Sequence, residues 1–295
     1  MFGQRLSEAL NKSRRAAAPG YRAAFIALMF MATQACAGGI EVVRVDGYGP
    51  ILDPNAEFWS AATAVEVPMV PQVVVAPKNP KPAVKSLKVK AVHNGQWLGI
   101  LVEWRDPTKN DRIVLDQFGD QVAVEFPVEF NKDALPSPTM GHKGGRVDIW
   151  QWRAAFQHDL EAHEPDIRDL YPNILVDVYP DQVLRATDAR PYMGAVGVDN
   201  PISHAHHSPV LEQMAEGWGT LTVKPEDRNV DGRGVWSNGA WRVVFTHPLA
   251  AESKNSASFI PGMETMIAFA AWDGGSREVG ARKAWSMWTP FRLAK

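Results

Sequence analysis

Apolar and polar positions alternate along much of the chain. In SLKVKAVH (86–93) every second residue is apolar at first, Asn94-Gly95 supplies a two-residue turn, and QWLGILVEW (96–104) returns as a second strand. That order is a β-hairpin signal. DQVAVEFPV (120–128) sets Val122, Val124 and Phe126 against polar neighbours, and GRVDIWQW (145–152) carries Val147 and Ile149 on one parity, Trp150 and Trp152 on the other. ILVDVYP (174–180) and GTLTVKP (219–225) read as further strands. GVWSNGAWRVVF (234–245) is a second hairpin turned at Asn238-Gly239, and TMIAFAAWDGG (265–275) and KAWSMWTPFRL (283–293) close the chain. The stretch 70–85, with prolines at 71, 77, 80 and 82, reads as an extended connection, and a helical turn falls within 154–171. Short strands with turn signals between them predict an all-β fold, an antiparallel β-sandwich with short helical insertions.

The first 37 residues break this pattern. Arg5, Lys12, Arg14, Arg15 and Arg22 precede the apolar run AAFIALMFMA (23–32), and Ala35-Cys36-Ala37 follows with small residues. The run is too short to span a bilayer, and the order is that of a secretory signal cleaved near Ala37. The expected organisation is therefore a signal peptide over 1–37 and one domain over 38–295, in the periplasm. Cleavage removes those five cations and Glu8, which takes the net charge from −2 to −6. An acidic exported protein is a poor partner for nucleic acid. Cleavage also removes Cys36, the only cysteine of the 295 residues. Disulfides, iron–sulfur clusters and covalently attached haem are then excluded, and any metal must be held by His, Met, Lys, carboxylate or backbone.

No G-x-S-x-G, H-E-x-x-H or P-loop pattern occurs, so nothing points to a self-sufficient active site. Glu161 and Glu164 read as a solvated face. His204, His206 and His207 form HAHH, a candidate metal cluster bracketed by Pro201 and Pro209, with no fourth ligand nearby in sequence. Asp227-x-Asn229-x-Asp231-Gly232 starts like a calcium loop but has Asn238 where that loop needs a bidentate glutamate; it reads as a turn. Trp97, Trp104, Trp150, Trp241 and Trp272 lie inside alternating strands, where a core role is favoured over a sugar-stacking platform. Met140 stands apart, in the Pro/Gly-rich loop PSPTMGHKGG (136–145). Such a loop is a poor core, so Met140 either docks back onto apolar surface or binds something with its sulfur, a soft ligand suited to copper or haem iron. Gly141, Gly144 and Gly145 permit close approach to a flat cofactor, and VDIWQW (147–152) is expected to offer that pocket aromatic surface.

A set of short motifs occurs in a consistent order: DPTK (106–109) after the strand ending in Val102-Glu103-Trp104, DQVAVEFP (120–127), Met140-Gly141-His142, VDIWQW (147–152), WRVVF (241–245), AFAAWDG (268–274) and Arg282-Lys283-Ala284. Together they resemble the ethylbenzene dehydrogenase haem-binding family, which includes the γ subunits of ethylbenzene dehydrogenase, dimethylsulfide dehydrogenase, selenate reductase and chlorate reductase. The resemblance covers roughly 41–157 and 234–294; the stretch 158–234 fits less clearly and reads as an insertion. It implies a β-sandwich that holds one non-covalent b-type haem between a methionine and a lysine. Met140 is carried over as the methionine, Lys283 as the lysine, with Lys143 and Lys254 as rivals. The implied role is non-catalytic electron transfer between the iron–sulfur subunit of a molybdopterin oxidoreductase, whose molybdopterin subunit does the chemistry, and a soluble periplasmic carrier. The alternative is a haem-free exported sandwich that binds carbohydrate or a protein partner.

Overall fold

The computed structural model describes residues 38–112, 115–162, 173, 183, 186–188, 207–224, 229–250 and 253–295. The expected strand ILVDVYP, His204, His206 and Asp227 lie outside the described residues. Fourteen strands are described. The first five are β1 (Ile40–Arg44), β2 (Val65–Pro68), β3 (Val70–Pro71), β4 (Ser86–His93) and β5 (Trp97–Arg105). β6 (Gln121–Pro127) and β7 (Val147–Arg153) lead into the helix α1 (Ala154–Ala162), and β8 (Val210–Ala215) and β9 (Thr222–Val223) follow. β10 (Asp231–Ser237), β11 (Ala240–Pro248), β12 (Glu264–Trp272), β13 (Ala284–Trp285) and β14 (Thr289–Leu293) complete the domain. No described helix is long and apolar enough to cross a membrane.

The strands form two sheets joined by one strand that belongs to both. The first runs β10-β11-β5-β4-β1-β14, with β2 beside the opening half of β4, and ends on β12; the second continues from β12 through β6, β7, β8 and β9. Glu264–Ile267 of β12 pair with β14, and Ala268–Trp272 pair with β6, so β12 passes from one sheet into the other. β13 pairs the other edge of β12's second half and carries β3. The pairing is antiparallel as expected, with one departure: β1 lies parallel to both β4 and β14.

Both hairpins form. At the second, Ser237 faces Ala240, and Asn238 and Gly239 take φ values of 52° and 71°. Positive φ at both central positions is what a tight right-twisting hairpin requires, and Asn-Gly tolerates it best. The first turn sits one residue later than the sequence indicated. The Asn94 N–H donates to the Trp97 carbonyl at 3.1 Å, so Gly95 and Gln96 are the central pair. The Asn94 side chain instead accepts from the amides of Gln96 and Trp97, a local bond that competes with placing Asn94 inside the turn.

The core lies where the two sheets face each other. Trp152 of β7 meets Trp241 of β11 and Trp104 of β5 at ring-centroid distances of 4.9 and 6.4 Å, and Phe126 of β6 meets Phe291 of β14 at 5.6 Å. Trp104, Trp150 and Trp241 are thus core residues, which removes them from any sugar platform. A buried charge cluster crosses the second sheet. Lys224 Nζ lies 2.9 Å from Asp148 Oδ1 on β7 and 2.6 Å from Glu212 Oε1 on β8, and also donates to Ser256 Oγ. Burial pushes the Asp148 carboxyl up to about 6, against the pull of the Lys224 charge.

Candidate cofactor pocket

Alternation on β6 and β7 places a second set of residues on the side away from the core. Val122, Val124 and Phe126 face the core with Trp150 and Trp152, while Ala123, Glu125, Ile149, Gln151 and Arg153 line a cavity of about 510 Å³. The expectation that VDIWQW offers aromatic surface to the pocket is overturned, because its two tryptophans have the core parity. The aromatic lining comes instead from Phe269 and Trp272 of β12, Trp285 of β13 and Trp218 of the loop after β8. Trp272, expected in the core, is buried but faces this cavity.

Met140 and Lys283 line the same cavity. Lys143 and Lys254, the rival lysines, are exposed on the surface and do not line it. The loop that carries Met140 is held from several directions. The indole N–H of Trp288 donates to the Pro136 carbonyl at 2.7 Å, and that of Trp218 donates to the Thr139 carbonyl at 3.0 Å. The Gly217 amide donates to the Met140 carbonyl at 2.7 Å, and His142 and Gly145 exchange backbone bonds of 3.1 and 2.7 Å. Met140 itself has φ 73°, a left-handed conformation unusual for a long side chain, which persists only where the surroundings impose it. Gly141 follows at φ 70°, and any Cβ there would collide with the Gly145 carbonyl oxygen. The close approach that the glycines permit is therefore loop against loop in the first instance.

Lys283 stands at the end of the loop that leaves β12. Its Nζ lies 5.2 Å from the centroid of Trp272, and Trp272 donates its indole N–H to the Gly280 carbonyl at 2.9 Å, fixing the ring under the ammonium. Glu125 is its charge partner. Burial pushes the Glu125 carboxyl up to about 8, with opposing pulls from Lys283 and from the Met140 backbone amide, and Glu125 Oε1 has no hydrogen-bond partner. Burial likewise pulls the Lys283 pKa down, against the Glu125 charge. Both groups are thus driven toward their neutral forms. The cavity's other cation is Arg153, whose buried Nε lacks a hydrogen-bond partner while Nη2 donates to Gln151 at 3.2 Å.

Met140 and Lys283 were singled out in the sequence; Glu125 and Arg153, which line the same cavity, were not. Glu125 lies on the parity opposite Val122, Val124 and Phe126, and Arg153 ends a strand apolar on both parities, so neither stood out. The cover over them comes from afar: the 70–85 connection folds over the cavity, with Gln72 accepting from the amides of Val74 and Val75 and donating to the Ala281 carbonyl at 2.9 Å. His207 is exposed, and Asp231 accepts from Ser208 Oγ at 2.8 Å and from the Gly232 amide, as a turn residue does.

Comparison with known proteins agrees with the resemblance. Residues 56–171 match the model of the family described as ethylbenzene dehydrogenase, a stretch that contains Met140 and stops short of Lys283. The chain is 26% identical over 239 residues to a protein of Haloferax mediterranei named for the respiratory nitrate reductase heme subunit ORF7, covering 81% of this chain and 67% of that one. It is 27% identical over 262 residues to the chlorate reductase subunit gamma of Ideonella dechloratans, covering 86% and 84%. Among solved structures it is similar to a family 9 carbohydrate binding module from Caldicellulosiruptor kristjanssonii in complex with glucose, at 12% identity and TM-score 0.41 over 87% of this chain and 96% of that one. That likeness is too distant to bear on function.

Proposed function

We propose, from its match to the ethylbenzene dehydrogenase family model and to its two relatives, that the chain is the haem-carrying subunit of a respiratory oxidoreductase, with one b-type haem in the cavity held by Met140 and Lys283. The observation that carries this reading is that a thioether and an amine from distant parts of the chain line one largely apolar cavity. Its volume falls in the range of cofactor sites.

The lining fits the group. Lysine binds a metal only as the neutral amine, and burial favours that form of Lys283. Glu125 Oε1, which lacks a partner, is the atom that holds the proton Lys283 gives up. Arg153 Nε, also unpartnered, supplies a cation for the carboxylates of a haem. The left-handed Met140, pinned by Trp218, Trp288 and Gly217, presents its sulfur without the loop having to be ordered on binding. A haem held by Met140 and Lys283 would have no position left for substrate and would supply electron transfer, at a potential that the thioether would raise.

In this reading the substrate chemistry lies in a molybdopterin partner subunit. Electrons pass between the partner's iron–sulfur subunit and this chain, then to or from a soluble carrier in the periplasm, where the signal-like N-terminus delivers the protein. The names of the two relatives, a haem subunit and a γ subunit of reductases, support a haem-carrying role beside partner subunits. The test is the haem content of the purified, exported protein by the pyridine haemochrome method. The expected result is one b-type haem per chain, extractable with acidified acetone. A protein that is folded, colourless and unable to take up added haem overturns the proposal.

A further inference from the structure

Away from the cavity lining, three carboxylates are buried together. Asp106 follows β5, Asp120 precedes β6 and Asp273 follows β12; the first two are fully buried and Asp273 is 7% exposed. One carboxylate oxygen from each lies within 4.8 Å of the others. Most of their oxygens have donors. Asp120 accepts from the amides of Asn110 and Gly274 at 2.8 and 2.9 Å and from the Trp241 indole at 2.9 Å, and Asp273 accepts from the amide and hydroxyl of Ser276 at 2.9 and 3.1 Å. Asp106 Oδ1 accepts from the Thr108 amide at 3.1 Å, but Asp106 Oδ2, wholly out of water, has no partner. No lysine or arginine among the described residues forms an ion pair with any of the three. A fourth buried carboxylate, Glu278, accepts from the Asp273 amide at 3.1 Å and adds to the negative charge. Buried carboxylates without a counter-charge are costly unless a proton or a metal neutralises them.

Two more side-chain oxygens stand beside the cluster and are bonded into it: Thr108 Oγ1 donates to Asn110 Oδ1 at 2.9 Å and lies 3.4 Å from Asp106 Oδ1. The backbone at Gly275 comes so close that an added Cβ would stand 2.7 Å from Thr108 Oγ1, 3.1 Å from Asn110 Oδ1 and 3.2 Å from Asp273 Oδ1. At Gly274 an added Cβ would collide with the Phe118 carbonyl oxygen. Asp106, Thr108 and Asn110 are spaced i, i+2, i+4, the spacing by which a loop presents successive oxygens to one ion. Asp106 is itself fixed, its amide donating to the Gly239 carbonyl and its carbonyl accepting from the Trp236 indole, both at 3.0 Å.

We propose that Asp106, Asp120 and Asp273, with Thr108 and Asn110, form a binding site for one calcium ion. Every donor is oxygen and none is imidazole or thiolate, which selects a hard cation over a transition metal. Five side chains from three segments suit the large, flexible coordination shell of calcium better than magnesium, which keeps most of its waters. The ion gives Asp106 Oδ2 its missing partner. It also ties the 106–120 connection to the 273–283 loop. Both frame the large cavity, since Gln121, Ala123 and Glu125 follow directly from Asp120 and the other loop ends at Lys283. The site stands on its own geometry and does not depend on what the cavity holds.

The experiment is calcium titration of the purified full chain after chelator treatment, followed by calorimetry and by thermal unfolding. The expected results are uptake of one calcium per chain and a Tm that rises with free calcium. Thr108→Ala, at an exposed position that spares the fold, weakens binding severalfold, and Asp106→Asn weakens it tenfold or more. Asp231→Asn, in the other Asp-rich segment, leaves uptake unchanged. Absence of calcium uptake, with the same Tm in calcium and in chelator, overturns the proposal and assigns the cluster to bound protons. Uptake lost in Asp231→Asn but intact in both Thr108→Ala and Asp106→Asn overturns it equally, by placing the ion elsewhere.

Discussion

Lys283 and its two rivals show how much one side chain's setting decides. The resemblance singles out Lys283 through Arg282-Lys283-Ala284, but it leaves Lys143 and Lys254 as rivals. The fold separates them, because only Lys283 is turned against Trp272 and Glu125 at a cavity wall, while Lys143 and Lys254 extend into water. Replacing each with alanine in turn therefore has one expected outcome. Lys283→Ala shifts the haem spectrum toward high spin or loses haem, and Lys143→Ala and Lys254→Ala leave it as in the parent. A spectrum altered by either surface lysine and not by Lys283 moves the ligand. Met140 stood out as a methionine among prolines and glycines, and in the fold it is half-buried against the small apolar cluster of Val147, Ile149 and Trp272 as well as lining the cavity. Its left-handed φ was not legible, because it depends on bonds from Gly217 and Trp218, which arrive from the loop after β8.

At the scale of the strands, alternation identified β4 to β7 and β9 to β12 but not β1, β2, β3 or β8, which are short or lie outside the alternating stretches. The hairpins β4–β5 and β10–β11 were readable because turn residues and period-two patterning act locally, although only the second turns on its Asn-Gly pair. The second face of β6 and β7 was not, because loops from 70–85, 136–145 and 273–283 cover it, and cover by distant loops leaves no period in the covered strand. Glu125, Gln151 and Arg153 therefore carried no mark in the sequence of the cavity they line. Lys224 shows the same limit. It follows the two-residue strand β9, yet it is the counter-charge for Asp148 and Glu212 across β7 and β8. Lys224→Met keeps the stem and removes the charge, leaving two buried carboxylates facing each other. The expected cost is about 3–5 kcal/mol, read by denaturant unfolding. A change below about 1 kcal/mol would mean that the pair is already protonated in the native state.

For the whole molecule, buried titratable groups set the response to acid. Burial holds His247, stacked on Trp150 at 4.7 Å and near Lys224, at about 4, below its ordinary 6.5. The unfolded chain then takes up its proton first, so the stability this residue contributes is complete above pH 6.5 and is lost as pH falls toward 4. Asp148, pushed up to about 6, acts in the opposite direction over much of that range. Comparison with His247→Phe isolates the histidine. The variant is expected to lose less stability between pH 6.5 and 4, by up to about 3 kcal/mol. Equal slopes would mean that His247 is protonated in the fold. The central claim is that this sandwich holds a haem with Met140 sulfur on its iron, and the most direct measurement is the visible spectrum and reduction potential of Met140→Ala beside the parent protein. The parent is expected to be low-spin. The variant is expected to keep its fold, because Met140 is only half-buried, while its spectrum moves to high spin or its haem is lost, with a lower potential if a harder ligand takes the sulfur's place. A variant that remains low-spin at the parent's potential would contradict the account.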